Sequence, residues 1–342
     1  VESIHARFLE AGADCIETNT FGGNKIVLAE FDLQDRTYSL NKSAAEIARR
    51  AVDKFNQSDR GRGRPGSQGL RFVLGSMGPG TKLLTLGQIT WDDMLASYRE
   101  QAQGLIAGGV DALLIETCQD ILQVKCAINA CLAALGQANL LPTDIPIMVS
   151  LTIETTGTML MGTSIEAAVT ALRGFPIASL GLNCATGPTE MASHIAHLSA
   201  HWDKHIAVVP NAGLPALVEG QTVFPLSPEP FAKSLETYVQ NLGVRIVGGC
   251  CGTTPAHIQA LVAHIKDTTP AARNIQPTKG QATSLYAPVE FRQDTSFLIV
   301  GERMNASGSR AFKRLLEAED WDGIISLARS QLREGSHVLD LN

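Results

Sequence analysis

Residues 244–265 read VRIVGGCCGTTPAHIQALVAHI and combine a short apolar run, a glycine-flanked cysteine pair and an amphipathic stretch. The run Val244–Val247 is typical of a buried parallel strand. Thr254 and Pro255 are residue types favoured at the N-cap and at the first position of a helix. Four apolar residues then repeat at helical spacing: Ile258, Leu261, Val262 and Ile265. The stretch therefore predicts a strand, a tight turn that carries two cysteines, and a helix.

The same alternation of apolar runs and amphipathic stretches extends back through the chain. Each run is short, nearly continuous in apolar residues and bounded by Gly, Pro, Asn or Asp, as buried parallel strands are. The other predicted strands are Cys15–Phe21, Phe72–Met77, Ala112–Thr117, Ile147–Ile153, Leu180–Cys184 and Ile206–Pro210. An apolar face that repeats every three or four residues predicts a helix over residues 44–55.

Strands that alternate with helices in this way fit either a doubly wound sheet or a (β/α)8 barrel. No G-x-G-x-x-G motif opens a helix here, which weighs against a dinucleotide-binding fold. Distinctive Gly, Cys and polar residues follow many different strands, at the end where a barrel has its active site. We therefore predict an α/β fold, a TIM barrel over residues 1–266. The chain begins inside a predicted helix, so the barrel's first strand is missing and the chain looks truncated at its start.

The alternation stops in the polar, Pro-containing segment 267–296, which predicts a linker. It returns with a predicted strand at Phe297–Val300, a helix around Trp321–Leu332 and a strand at His337–Leu341. Residues 297–342 are therefore predicted to open a second domain with a β-α-β unit.

Composition and charge argue against several classes of function. The chain has 28 Lys and Arg against 34 Asp and Glu, a net charge of −6, without a long basic block, so nucleic-acid binding is not expected. No apolar run reaches the roughly 18 residues of a membrane span, and the first residues lack a signal-peptide pattern. Seven cysteines, an odd number in a chain of this length, favour a reducing cytoplasm with metal-binding or catalytic thiols.

Three cysteines end two of the predicted strands: Cys184 in GLNCATGP, and Cys250 and Cys251 in GGCCGTTP. Adjacent side chains point to opposite faces of an extended strand, but the flanking glycines allow a turn that brings both sulfurs to one point. In a barrel, these two strand ends open on the same mouth. Three thiolates that converge there match a zinc site with one open coordination position.

Other interpretations of the cysteines remain open. Cys15, Cys118, Cys126 and Cys131 are expected to be small core residues. The vicinal pair could also be buried and inert, or a redox pair, although redox motifs usually place two residues between their cysteines. His257 is expected on the surface rather than as a fourth metal ligand.

Polar residues at strand ends are candidates for substrate binding. Glu116 ends a predicted strand and could pair with a substrate ammonium group, with a structural ion pair as the alternative. Glu17 and Asn19 are weaker candidates of the same kind. Asn183, beside Cys184, is a candidate for contacting substrate or shaping the ligand loop.

The cysteine motifs GLNC and GGCCGTTP resemble those of the homocysteine S-methyltransferase family. AGADCIETNTF (Ala11–Phe21) and GVDALLIETCQD (Gly109–Asp120) are similar to that family's second and fourth strands. The likeness covers about residues 1–265, and the D-G-A-M-G-T-like loop with which the family begins is absent. The resemblance implies a homocysteine-binding barrel, with Cys184, Cys250 and Cys251 as zinc ligands and Glu116 as the acid that holds the substrate amino group.

FLIVGERMNASGSRAF (Phe297–Phe312) resembles the opening of the pterin-binding domain in the cobalamin-dependent methionine synthase family. HVLDLN (His337–Asn342) resembles that domain's second strand. The resemblance implies a second barrel that binds folate, and it implies methylcobalamin, held by a module outside this chain, as immediate methyl donor and 5-methyltetrahydrofolate as ultimate donor. The implied folate-binding residues are Glu302, Asn305, Gly308, Ser309, Arg310, Asp340 and Asn342.

Thiol chemistry favours methyl transfer independently of any resemblance. A free thiol with a pKa near ~8.5 is mostly protonated at neutral pH, whereas a thiol bound to Zn²⁺ is deprotonated. Three cysteinate ligands would leave such a site anionic and a bound substrate thiolate nucleophilic, which suits alkyl transfer to sulfur better than hydrolysis. The alternatives are a stand-alone homocysteine methyltransferase that uses betaine or S-methylmethionine, and a non-catalytic zinc-stabilised barrel.

Overall fold

The computed structural model of the chain describes residues 1–58, 69–277 and 279–342. The chain divides into two compact units, Val1–Gln276 and Pro277–Asn342, and the division lies inside the segment predicted as a linker. Among the described residues, no helix is both long and apolar enough to cross a membrane.

A parallel sheet, curled into a half-barrel, forms the centre of the first unit, and its strands lie side by side in chain order. The strands of this unit are β1 (Cys15–Glu17), β2 (Phe72–Met77), β3 (Ala112–Cys118), β4 (Ile147–Leu151), β5 (Ser179–Asn183), β6 (His205–Val209), β7 (Ala216–Val218), β8 (Gln221–Val223) and β9 (Ile246–Val247). β7 and β8 form a separate antiparallel hairpin, which the sequence analysis did not predict. The other seven make up the sheet, so a strand is present at each of the seven predicted places, although the strand predicted at Cys15–Phe21 ends at Glu17 and the one predicted at Val244–Val247 begins at Ile246.

Helices connect consecutive strands of the sheet, as parallel pairing requires. The connecting helices are α2 (Lys25–Ala29), α3 (Thr37–Gln57), α4 (Trp91–Ala107), α5 (Ile121–Gln137), α6 (Ile165–Leu172), α7 (Pro188–His201) and α8 (Pro228–Leu242), while α1 (Glu2–Glu10) precedes β1 and α9 (Pro255–Ile265) follows β9. The predicted N-cap of α9 is confirmed, because Thr254 caps this helix in a capping box with His257. His257 is buried, 7% exposed, so its expected place on the surface was wrong.

The core lies on both faces of the sheet. Every residue of β5 is buried, and so are the large side chains of Tyr98, Trp202 and Phe231 on the surrounding helices and connections. Burial of this much apolar surface is the main favourable contribution to folding and holds the strand ends in fixed positions.

The four cysteines predicted as core residues divide into two groups. Cys118, Cys126 and Cys131 are buried as predicted, whereas Cys15 is exposed. Cys15 opens β1, which is an edge strand of the sheet in the part of the chain that the structure describes. With a strand on one side of it alone, β1 leaves this side chain open to solvent.

The described residues of the second unit form two small sheets and two helices: β10 (Gln281–Thr283), β11 (Pro288–Glu290), β12 (Val300–Met304), α10 (Arg310–Glu317), α11 (Trp321–Arg333) and β13 (Val338–Leu341). β10 and β11 form an antiparallel hairpin within the segment predicted as a linker. β12 and β13 pair in parallel from Val300 and Val338 onward. The predicted strand at Phe297–Val300 therefore starts later than expected, because pairing with β13 sets its first residue.

The start of the predicted linker is attached to the first unit. Arg273 donates to the carbonyl oxygens of Trp202 at 2.6 Å and Lys204 at 2.5 Å. The amide of Gln276 donates to the carbonyl of Ala200 at 2.8 Å. The segment up to Gln276 thus belongs structurally with the sheet that precedes it.

Candidate active site

Three thiols meet at the carboxyl ends of β5 and β9. The Cys184 and Cys251 sulfurs lie 3.8 Å apart and the Cys250 and Cys251 sulfurs 3.9 Å apart. All three sulfurs lie within 4.8 Å of one another, and no other group of three potential metal ligands this close is found among the described residues. Two thiolates on one tetrahedral Zn²⁺, with Zn–S distances near 2.3 Å, lie roughly 3.8 Å apart. The spacing and donor type therefore fit zinc.

The backbone around each cysteine is bent so that the sulfurs converge. Cys184 directly follows β5 and has φ of 61°, in the left-handed region. The Cys250 amide donates to the carbonyl of Pro210 at 2.8 Å, which anchors the turn after β9 to the end of β6. Gly252 has φ of 78°, and a Cβ there would lie 2.3 Å from Cγ of Phe224. Gly252 thus allows the tight turn that brings the two sulfurs together, as the sequence predicts for the glycines of this segment.

Asn211 supports two of the three cysteines, and the sequence analysis did not single it out. Its Oδ1 accepts a hydrogen bond from the Cys251 amide at 3.1 Å, and its side chain hydrogen bonds to the Cys184 thiol. The residue is buried, just beyond the end of β6. Its position after a strand, in the polar sequence PNAG, was the available signal.

Hydrogen bonds shift the pKa values of the three thiols in different directions. A hydrogen bond from Cys250, with others from the Ala185 amide, Cys251 and Asn211, lowers the pKa of Cys184 to about 6 against the effect of burial. The hydrogen bond to Cys184 and burial raise the pKa of Cys250, and burial and the Cys184 charge raise that of Cys251. Of the three thiols, Cys184 is therefore the one whose surroundings most favour loss of the proton.

Glu116 lies near the carboxyl end of β3, two residues before the strand ends, and is buried. It accepts a hydrogen bond from the Ser76 hydroxyl at 2.5 Å. Burial raises the pKa of Glu116, the Ser76 hydrogen bond opposes this, and the nearby Cys184 charge adds to it. Glu116 is thus close enough to the thiols to interact with them electrostatically.

The other predicted substrate-binding residues lie at the same rim. Glu17 ends β1 at the open edge of the sheet, and desolvation together with repulsion from Glu116 raises its pKa to about 8. Asn19 lies two residues beyond β1 and is exposed. Asn183 is buried, and both polar atoms of its side chain bond to Thr117. These contacts agree with a part for Asn183 in shaping the site, while direct substrate contact by any of the three stays a prediction.

The residues predicted to bind folate lie in the second unit, around the paired ends of β12 and β13. The Ala306 amide donates to the carbonyl of Asn342 at 2.7 Å, which joins the two halves of the motif. Asn305 accepts from the Gly308 amide at 3.1 Å, and Ser309 caps α10, whose first residue is Arg310. Glu302 and Asp340 are exposed on the two strands. The structure brings these residues together, and their ligand stays a prediction.

Three thiols and a buried carboxylate lie at the carboxyl rim of this α/β sheet, which is the rim where barrel enzymes carry their active sites. The family model of homocysteine S-methyltransferase matches residues 1–265, and the chain belongs to this family of methyltransferases.

Curated relatives and solved structures agree with this family. The chain is 43% identical over 341 residues to methionine synthase of Mycobacterium tuberculosis and 44% identical over 345 residues to that of Mycobacterium leprae. Each match covers 100% of this chain but 28% of the relative. The metallated form of the homocysteine methyltransferase MmuM from Escherichia coli matches with a TM-score of 0.60 at 24% identity, covering 77% of this chain and 83% of that one. At this identity, the structural likeness supports the fold alone.

Proposed function

We propose that the first unit binds one zinc ion through Cys184, Cys250 and Cys251 and methylates homocysteine to methionine. The observation that carries this proposal is the convergence of three sulfurs at spacings of 3.8 and 3.9 Å beside a buried carboxylate. Zinc, when bound, would supply the Lewis acidity that keeps a substrate thiol deprotonated at neutral pH. Because three protein thiolates leave a fourth position for substrate, the site suits catalysis.

Glu116 is the proposed anchor for the substrate's ammonium group. Its carboxyl is held by the Ser76 hydroxyl at 2.5 Å, which leaves its orientation fixed when substrate arrives. The charged ammonium would favour the ionised carboxylate and so reverse the upward shift of its pKa. Glu17 and Asn19 are proposed as further contacts on the open side of the site. In the transfer itself, a sulfur electron pair forms the new S–C bond, and the pair of the broken bond stays with the methyl donor.

The donors are proposed from the relatives and from the second unit. The two mycobacterial relatives are methionine synthases, and this chain spans 28% of their length. We propose that the curled sheet is part of a (β/α)8 barrel in a full-length cytoplasmic methionine synthase, with a linker at 267–296. Residues 297–342 would open the folate-binding barrel. Methylcobalamin, on a further module, would be the immediate donor and 5-methyltetrahydrofolate the ultimate one.

Methyl transfer in solution tests this function. The zinc-loaded chain is incubated with homocysteine and free methylcobalamin, and methionine is measured by mass spectrometry, with betaine and S-methylmethionine as competing donors. We expect methionine from methylcobalamin. Product from betaine or S-methylmethionine alone would support the stand-alone enzyme, and no product from any donor would support a structural zinc site.

Glu116→Gln tests the ammonium anchor in the same assay. Loss of a charge-assisted hydrogen bond predicts a KM for homocysteine that is roughly 10- to 100-fold higher. Glu46→Gln, which removes a half-exposed carboxylate on α3, is the matched control and should leave KM unchanged. Equal KM values for both variants would contradict the role of Glu116.

A further inference from the structure

The Asn183 side chain connects the two strands that carry the proposed anchor and the first thiol. Its Oδ1 accepts from the Thr117 amide at 3.0 Å, and its Nδ2 donates to the Thr117 hydroxyl at 2.6 Å. Thr117 belongs to β3 and Asn183 to β5, and β4 lies between these strands in the sheet. The Thr152 hydroxyl, just beyond β4, donates to the Asn183 carbonyl at 3.0 Å. Asn183 thus ties together the carboxyl ends of three strands, β3 through its side chain and the residue after β4 through its backbone carbonyl.

The backbone at both ends of this connection is strained. Thr117 has φ of 59° and Cys184 has φ of 61°. A β-branched residue is a rare occupant of the left-handed region, and such a conformation persists only where its surroundings hold it. At Thr117, the two hydrogen bonds to Asn183 supply that restraint. Strain is therefore maintained at the residue after Glu116 and at the residue after Asn183.

The connection continues to the other side of Glu116. The Ser76 hydroxyl donates to the Glu116 carboxyl at 2.5 Å, and the Ser76 amide donates to the Thr18 hydroxyl at 3.0 Å. Glu116 is thus fixed from β2 through its side chain, and from β5 through the backbone of Thr117. These bonds hold Glu116 in place relative to the end of β5, which Cys184 follows directly.

We propose that Asn183 and Thr117 form a clamp that sets the distance between Glu116 and Cys184, and thereby the length of amino-thiol that the site accepts. The clamp consists of positioning residues, since it acts through Glu116 and Cys184. This inference rests on the proposed function, in which substrate spans the carboxylate and the metal-binding thiols. Homocysteine has one methylene more than cysteine between its amino-bearing carbon and its sulfur. Two anchors at a fixed separation should therefore select between these two ligands.

The test compares three variants of the zinc-loaded chain by their dissociation constants for homocysteine and cysteine. Asn183→Ala removes both hydrogen bonds, and Thr117→Val removes the hydroxyl acceptor at nearly constant shape. Thr117→Ser, the matched control, keeps both the hydroxyl and the amide. We expect the preference for homocysteine over cysteine to fall about tenfold in Asn183→Ala and Thr117→Val, and to stay within about twofold of the original value in Thr117→Ser.

Two further readouts separate a clamp from a general loss of structure. Zinc content should stay at one ion per chain in all variants, and methyl transfer from methylcobalamin should show a raised KM for homocysteine. The double variant Asn183→Ala/Thr117→Val should lose little more of the preference for homocysteine than Asn183→Ala alone, because both changes remove the hydrogen bond between the Asn183 amide and the Thr117 hydroxyl. An unchanged preference for homocysteine in Asn183→Ala and Thr117→Val, with weaker binding of both ligands, would overturn the clamp.

The failure of the clamp and the failure of the proposed function give different results. If the original chain binds zinc and methylates homocysteine but Thr117→Val and Thr117→Ser select equally well, the clamp is wrong and the function stands. If the original chain neither binds zinc nor distinguishes homocysteine from cysteine, the proposed function and the clamp fail together. Should Asn183→Ala not fold, the pair of Thr117 variants still decides the question.

Discussion

The two units of this chain bury their apolar side chains to very different degrees. In the first unit, Trp202 and Phe231 are fully buried around a sheet that is covered on both faces. In the second unit, Phe297 is 90% exposed and Trp321 62% exposed, beside a sheet of two strands. Groups that must act together at one point need rigid support, and only tight packing supplies it. The thiols have such support, whereas the predicted folate-binding residues stand on a sparsely packed framework.

The largest expected effect is the loss of metal from the well-packed rim. Cys250→Ala should reduce the zinc content after dialysis from about one ion per chain to a small fraction, because two thiolates hold zinc far more weakly than three. Cys15→Ser is the matched control, since Cys15 is exposed on β1 and lies outside the cluster. Atomic spectroscopy measures both. Full zinc in Cys250→Ala would remove this residue from the site.

Core substitutions test the difference in packing directly. Phe231→Ala should lower the free energy of unfolding by about 3–5 kcal/mol, the usual cost of removing a buried ring and leaving a cavity. Phe297→Ala should change it by less than about 0.5 kcal/mol, because this side chain is 90% exposed. Urea denaturation measures both variants. A similar loss in the two would mean that Phe297 is buried in solution and that the comparison between the units is wrong.

Limited proteolysis sharpens the comparison at the boundary. Residues up to Gln276 are hydrogen bonded to the first unit, so we expect early cleavage between residues 277 and 296, in the segment predicted as a linker. Mass spectrometry should show a resistant fragment that ends near Gln276. The two units serve as each other's control in this test. Dominant early cleavage between 271 and 276 would show that those contacts do not hold.

The smallest expected effect is a pH-dependent surface contact in the first unit. The Glu236 and Glu229 carboxylates each lie 2.8 Å from a His264 ring nitrogen and raise its pKa above the ordinary value near 6.5. Its contribution to stability is therefore fully present below about pH 6.5 and is lost as the pH rises through the raised pKa. His264→Gln should lower Tm slightly at pH 6 and progressively less at higher pH.

His197 supplies the control of opposite sign for that measurement. Burial lowers the pKa of His197, so protonation of this side chain favours the unfolded state and destabilises the protein as the pH falls. The Tm of His197→Gln relative to that of the original chain should therefore be highest at low pH. Thermal unfolding from pH 5.5 to 8.5 follows both variants. Parallel pH profiles for the two would contradict the assignment of His264.

The sequence predicts the sheet and the cysteine cluster well because both depend on local signals. Nearly continuous apolar runs such as Ile147–Ile153 are typical of buried strands, and the glycines around Cys250 and Cys251 mark the turn between β9 and α9. The placement of Cys184 beside them follows from parallel topology, which brings all carboxyl strand ends to one rim. These predictions needed no knowledge of individual side-chain contacts.

Contacts between distant residues were beyond what the sequence could predict. The hydrogen bonds between Asn183 and Thr117 join positions far apart in the chain, and no local pattern marks such a pair. Asn211 was missed for the same reason. His257 was placed on the surface because its burial depends on a hydrogen bond to the carbonyl of Leu226, in the segment that follows β8. In each case the partner comes from another strand or connection.

The sulfur count at zinc tests the central claim most directly. X-ray absorption at the zinc edge of the zinc-loaded chain should show three sulfurs and one lighter atom before homocysteine is added, and four sulfurs afterwards. Three protein thiolates from Cys184, Cys250 and Cys251 supply the first count, and the substrate thiolate supplies the fourth. Titration calorimetry in buffers of different ionisation enthalpy should show the release of the thiol proton on binding. Four protein ligands before homocysteine, with no change in either signal after it, would contradict a catalytic site.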